Sequence, residues 1–124
     1  MAKQRPTAAT IAKCGRLTST EQIRLLNDWL RMHGSGGRIV MTAGIAALDD
    51  RMRAKAVAAV RGFSAFDDDN DPHGEHDCAR IEVEDLSVLF KIDYYDLSLS
   101  HHSADPSDPD VTCRVLTLML AEEY

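Results

Sequence analysis

The stretch ARIEVEDLSVLFKIDYY, residues 79–95, alternates apolar and polar side chains in two runs. Ile81 and Val83 share one side of Ala79–Glu84. In Ser87–Tyr95, Val88, Phe90, Ile92 and Tyr94 share one face, and Leu89, Lys91, Asp93 and Tyr95 the other. Side chains along a strand point to opposite faces in turn. The pattern therefore predicts an antiparallel hairpin with one face on a core. Neither Asn-Gly nor Asp-Gly joins the two runs, which leaves the register open.

Before the hairpin, Thr18-Ser-Thr-Glu21 reads as a capping box. Ile23, Leu26, Trp29 and Leu30 follow at helical spacing up to His33 and Gly34. This predicts a helix over about residues 19–33. Gly34-Ser-Gly-Gly37 lacks the strand before it and the helix after it that a phosphate loop needs, and is read as a linker. Arg38–Thr42 reads as a short strand. Asp49 or Asp50 can cap a second helix, with Met52, Ala56, Val57, Val60 and Phe63 on its buried side and Gly62 at its end. Arg51, Arg53, Lys55 and Arg61 form a basic stripe on its other side, a candidate partner for the acidic half of the same chain. After the hairpin, Leu97–Pro109 is a loop. Asp108-Pro109 then suggests the start of a last helix, with Val111, Val115, Leu118 and Met119 on one side and Leu116 and Leu120 widening the band.

The expectation is an α+β fold. A small antiparallel sheet, the hairpin plus a short strand, packs against about three helices. Residues 1–17 form a basic tail and 18–124 a single domain. The 124 residues match one domain with a real core. The chain has no apolar run of membrane-spanning length and no secretory signal pattern. Three cysteines without a CxxC pair read as reduced thiols, and the expected compartment is the cytoplasm.

Charge is unevenly shared. Residues 1–61 hold eleven Lys+Arg and four Asp+Glu, and residues 62–124 hold three and sixteen. A surface on the second half should therefore repel nucleic acid and attract cations or basic proteins. The centre of this charge is FDDDNDPHGEHD, Phe66–Asp77, with six carboxylates and two histidines.

Several chemistries can be weighed there. Asp67, Asp69 and Asp71 begin like an EF-hand loop, but Pro72 stands where glycine is needed and Cys78 where glutamate is needed. A transition metal would draw on Asp69, Asp71, Glu75, His76 and Asp77, with His101, His102, Asp93 or Asp96 approaching from elsewhere. That spacing matches no established motif. A structured turn is the plainer reading, with Asn70 and Asp71 bonding their own backbone and Asp77 or Glu75 tied to Arg80 or the basic helix. Cys78 lies two residues from His76, yet no third orienting group is evident.

The phrases LNDWLR, GGRIVMTAGI, FDDDNDPHGEHD, KIDYYD and DPSDPDVTCRVLTLMLAEEY together resemble a small bacterial family known as a domain of unknown function. The resemblance covers about residues 18–124. It implies a setting on plasmids and other mobile elements, and it implies no reaction, cofactor or catalytic residue. The resemblance also implies larger aromatic residues at the positions where this chain has Cys78 and Leu89, which tells against a role for the Cys78 thiol.

The leading expectation is a non-enzymatic interaction protein, an accessory or anti-defence factor that meets a basic protein surface in the manner of a nucleic-acid mimic. Its binding residues would be Asp67, Asp69, Asn70, Asp71, Glu75, His76, Asp77, Asp93 and Tyr95. No direct nucleic acid, membrane or cofactor is expected. The alternative is a metal-dependent phosphoester hydrolase holding a divalent ion on Asp69, Asp71, Glu75, His76 and Asp77, with Asp93 as base. A homodimer joining the acidic face to the basic helix is the third reading.

Overall fold

The computed structural model describes residues 17–124. The expectation of a basic tail falls, apart from Leu17, outside the described residues. Helix α1 spans Ser19–His33. The Thr18 hydroxyl accepts from the Glu21 N–H while Glu21 reaches back to the Thr18 N–H, so the capping box is made. Gly34 closes the helix with φ 73°, a left-handed conformation that glycine adopts without a Cβ penalty. Its buried residues, Ile23, Leu26, Asn27, Leu30 and Arg31, follow the spacing of one helical face. Trp29 is only half-buried, and its indole N–H donates to Ser35 Oγ at 3.0 Å.

Strand β1 spans Arg38–Met41 and a short helix α2 spans Ala43–Ala46. Helix α3 spans Asp50–Gly62, and Asp49 caps it by accepting from the Met52 N–H at 2.7 Å. The hairpin follows as β2, Cys78–Val83, and β3, Leu86–Tyr95. The register pairs Val83 with Leu86, so Glu84 and Asp85 form a two-residue turn with Glu84 at φ 53°. Positive φ is what the favoured hairpin turns require, here from a glutamate.

The last segment departs from expectation. Cys113–Leu120 is not a helix but a strand, β4, followed by one 3-10 turn at Ala121–Glu123. Nor is the sheet purely antiparallel. Its order is β1-β4-β3-β2, with β4 antiparallel to β3 and parallel to β1. Strand β4 is therefore an inner strand. Residues on both of its sides are apolar, so spacing alone resembled a buried helix. Burial shows the period of two: Thr112, Arg114, Leu116 and Leu118 are buried, and Cys113, Val115 and Thr117 less so. Asp108 does cap, but it caps a turn, accepting from the Asp110 N–H at 2.9 Å.

One face of the sheet carries the core. Val88, Phe90 and Ile92 of β3 lie in register with Leu120, Leu118 and Leu116 of β4. Leu30 of α1, Ile45 of α2 and Ala56 and Val60 of α3 pack over them. Burying a side chain such as Phe90 contributes about 2–3 kcal/mol, and the cluster joins all three helices to the sheet. A Cβ on Gly37 would lie 2.6 Å from the Arg114 carbonyl oxygen, so only glycine lets the start of β1 approach β4.

Candidate functional site

The acidic segment runs from α3 into β2 and lies at the end of the sheet where β3 finishes and β4 begins. Its first half is a turn. Asp67 Oδ1 accepts from the N–H groups of Asp69 and Asn70, each at 2.9 Å. Asn70 returns the contact, accepting from the Asp67 N–H and donating to the Ala65 carbonyl. Among the described residues, the Asp68 and Asp69 carboxylates have no partner and face solvent.

The second half is anchored inward. Asp71 is buried and accepts from the His76 N–H at 3.0 Å. His76 has φ 55°, a left-handed conformation costing roughly 1 kcal/mol or more outside glycine. Contacts on both sides of the residue hold it there. Its ring stacks on Phe66, centroids 3.9 Å apart and planes within 6°. Nδ1 lies 2.8 Å from Asp28 Oδ1, and Nε2 lies 3.7 Å from Asp71 Oδ2. A carboxylate only accepts, so Nδ1 carries the hydrogen toward Asp28. Asp28 also accepts from Arg31 Nη2 at 3.1 Å.

A second chain begins at Glu75. Tyr94 donates its hydroxyl to Glu75 Oε1 at 2.7 Å. Asn27 Nδ2 donates to the Tyr94 oxygen at 2.7 Å and to the Glu75 carbonyl at 3.0 Å. Arg114 Nε donates to Asn27 Oδ1 at 2.9 Å, and its guanidinium also reaches the Pro106 carbonyl and lies over the Tyr94 ring. Arg24 Nε donates to the Gly74 carbonyl at 2.6 Å. Burial and the Glu75 carboxylate push the Tyr94 hydroxyl far above its ordinary pKa, so it stays a neutral donor. Asp77 is raised as well, first by burial and then by the charges of Glu75 and Asp71.

Two arginines serve as internal struts. Arg114 is 1% exposed and Arg31 4%. Arg31 Nη1 donates to the carbonyls of Val60, Arg61 and Phe63, closing the C-terminal end of α3. Its Nε is buried without a hydrogen-bond partner. Each charge is matched by several acceptors, as a buried ion requires.

The binding residues read from sequence are thus divided. Asn70, Asp71, Glu75 and His76 hold the turn together and to α1 and β3. Asp67 caps it from the surface. Asp69 faces water. The Asp77 carbonyl oxygen accepts from the Ile92 N–H at 2.7 Å. Asp93 lies on the other sheet face, paired with Lys91 at 3.0 Å. Tyr95 pairs with Cys113 across the sheet, so the tyrosine that meets the turn is Tyr94, not Tyr95. Arg80 does not fasten the turn; it bonds Glu82 and Ser87. Among the described residues, the basic helix forms ion pairs with the acidic half only at Glu84, which Arg51 and Lys55 share at 3.0 and 2.7 Å. Asp69, Asp71, Glu75, His76 and Asp77 do not converge. Among the described residues no three His, Cys, Asp or Glu side chains are grouped to hold a metal ion. Burial and the charge of Asp77 push the Cys78 thiol up, which disfavours the thiolate a nucleophile needs.

Asn27, Asp28, Arg31 and Arg114 did not emerge as site residues from the sequence. The available signal was polar side chains on the apolar face of a helix, and one arginine inside the run VTCRVLTLML.

The model of a family described as protein of unknown function (DUF3768) matches residues 41–123. The match takes in the acidic turn, Tyr94 and Arg114, and begins after the α1 residues that complete the network. No curated protein and no solved structure matches the chain.

Proposed function

We propose, from the premise that the chain belongs to the DUF3768 family of proteins of unknown function, that it recognises a basic protein surface through the acidic end of its sheet. The observation that carries this reading is where the cations go. Residues 17–124 hold ten Lys+Arg and twenty Asp+Glu. Arg31 and Arg114 are buried, and so is one carboxylate, Asp71. Eight cations therefore stand against nineteen carboxylates outside the interior. None of those eight pairs with a carboxylate of 67–77. The loop 96–110 joins the same end, tied to it through Arg114 and Pro106, and adds Asp105 and Asp110 to the surface. Carboxylates on a rigid base can occupy a surface built for phosphates, and electrostatic complementarity speeds such association. An accessory or anti-defence factor of a mobile element is the setting we propose for that competition.

The test is titration with a polylysine peptide and with duplex DNA across salt. The reading expects no DNA binding, and polylysine binding that weakens as the Debye length contracts from about 10 Å to about 3 Å. Changing Asp67, Asp68 and Asp69 to Asn keeps the backbone caps and should abolish most of the binding. The same change at Glu82, Glu84 and Asp85 should abolish little. Salt-independent binding, DNA binding, or equal loss from both triplets would end the proposal.

A further inference from the structure

We infer that the groove between β1 and α3 is the interface of a two-fold homodimer, a surface separate from the acidic end. Strand β1 is an edge of the sheet, and Ile39, Val40 and Met41 are 41%, 46% and 39% exposed. An apolar, accessible edge of this kind is a known route to association. Beside it runs a groove of about 460 Å³ between Met41 and the outer side of α3, where Asp50, Arg53, Ala54, Val57, Ala58 and Arg61 lie. A deeper cavity of about 80 Å³ shares Met41, Val57 and Arg61 with it and reaches Leu116 and Leu118.

The pattern on α3 selects the occupant. At 100° per residue, Asp50, Ala54, Val57 and Arg61 fall on one narrow stripe. Asp50 and Arg61 are eleven residues apart, roughly 16 Å along the axis. Asp50 is fully exposed and, among the described residues, its side chain meets only Arg53 of its own helix. Arg61 has no side-chain partner among the described residues. A second α3, running antiparallel across a two-fold axis between Ala54 and Val57, sets Asp50 against Arg61 of the second copy and Arg61 against its Asp50. Ala54 then meets Val57 of the second copy, and these small side chains let the helices approach. A partner of a single charge sign would match only one end of the stripe. A copy of this chain matches both, as an isologous interface requires.

Light scattering over a dilution series should give twice the 13.7 kDa of the chain. Arg61→Asp and Asp50→Arg each juxtapose like charges at two symmetric places and should raise the dissociation constant at least about tenfold. The double variant Asp50→Arg/Arg61→Asp should restore it. Ala54→Arg blocks the centre of the stripe without changing either end and should leave a monomer with unchanged circular dichroism. A monomer at every concentration overturns the inference. So does a dimer indifferent to the single swaps, or one the double swap fails to recover.

Discussion

At the α1 end of the sheet, arginines are buried and their charge is met by carbonyls, an amide and a carboxylate. At the β1 edge, Arg38 and Arg61 stand exposed beside Ile39, Val40 and Met41. The first region places polar groups inside and satisfies nearly all of them. The second leaves apolar groups outside. A buried polar network fixes one arrangement of the loops around it, because any shift strands a charged or polar group. An apolar edge fixes nothing within the monomer, and its disposition is decided by what covers it. Enclosed polar groups at one end and uncovered apolar groups at the other are different uses of the same composition.

That contrast can be broken by mutation. Arg114→Met leaves Asn27 Oδ1 and the Pro106 carbonyl without their donor, and should cost about 3–5 kcal/mol in urea unfolding. A cost near zero would mean that the network contributes little. Tyr94→Phe removes one hydroxyl between Asn27 and Glu75, and should cost about 1–3 kcal/mol. Asp77→Asn sharpens the comparison by sign. Burial raises the Asp77 pKa in the fold above its ordinary 3.8. As pH rises from 3.8 through that raised value, the unfolded chain gives up its proton first and stability falls. The variant should therefore melt higher than the parent at pH 7, with the gain vanishing below pH 3.8. Asp96 and Glu123 work the other way. Backbone and hydroxyl donors, Ser100 N–H foremost for Asp96 and Thr42 for Glu123, hold them below the ordinary range. Their contribution is lost as pH falls. The smallest effect belongs to the β1 edge: Val40→Lys should change monomer stability by no more than about 0.5 kcal/mol.

Local features were legible in the sequence. The capping box, the glycine stop and the Asp49 cap are short-range bonds with their own residue signatures. The hairpin was legible because one face of β3 meets a core and the other carries Lys91 and Asp93. Strand β4 was not, because an inner strand flanked on both edges lacks a clean polar side, and Leu116, Leu118, Met119 and Leu120 suit a helix equally well. The acidic turn was visible as a segment, but its partners were not. Asp28 and His76 are 48 residues apart, and Asn27 and Arg114 are 87. The pairing order, with β4 between β1 and β3, is what brings α1, the turn and Arg114 together here.

That pairing order bears on synthesis. Of the four strands among the described residues, the one translated last is an interior member, and there β1 has no sheet neighbour other than it. A nascent chain can form the hairpin and its isolated helices early, but the first strand must wait some seventy residues for its mate. Loop closure over that distance is slow, and apolar surface lies open meanwhile. Ribosome-bound fragments ending before residue 113 should thus depend on holdase chaperones to an extent that the completed sheet does not.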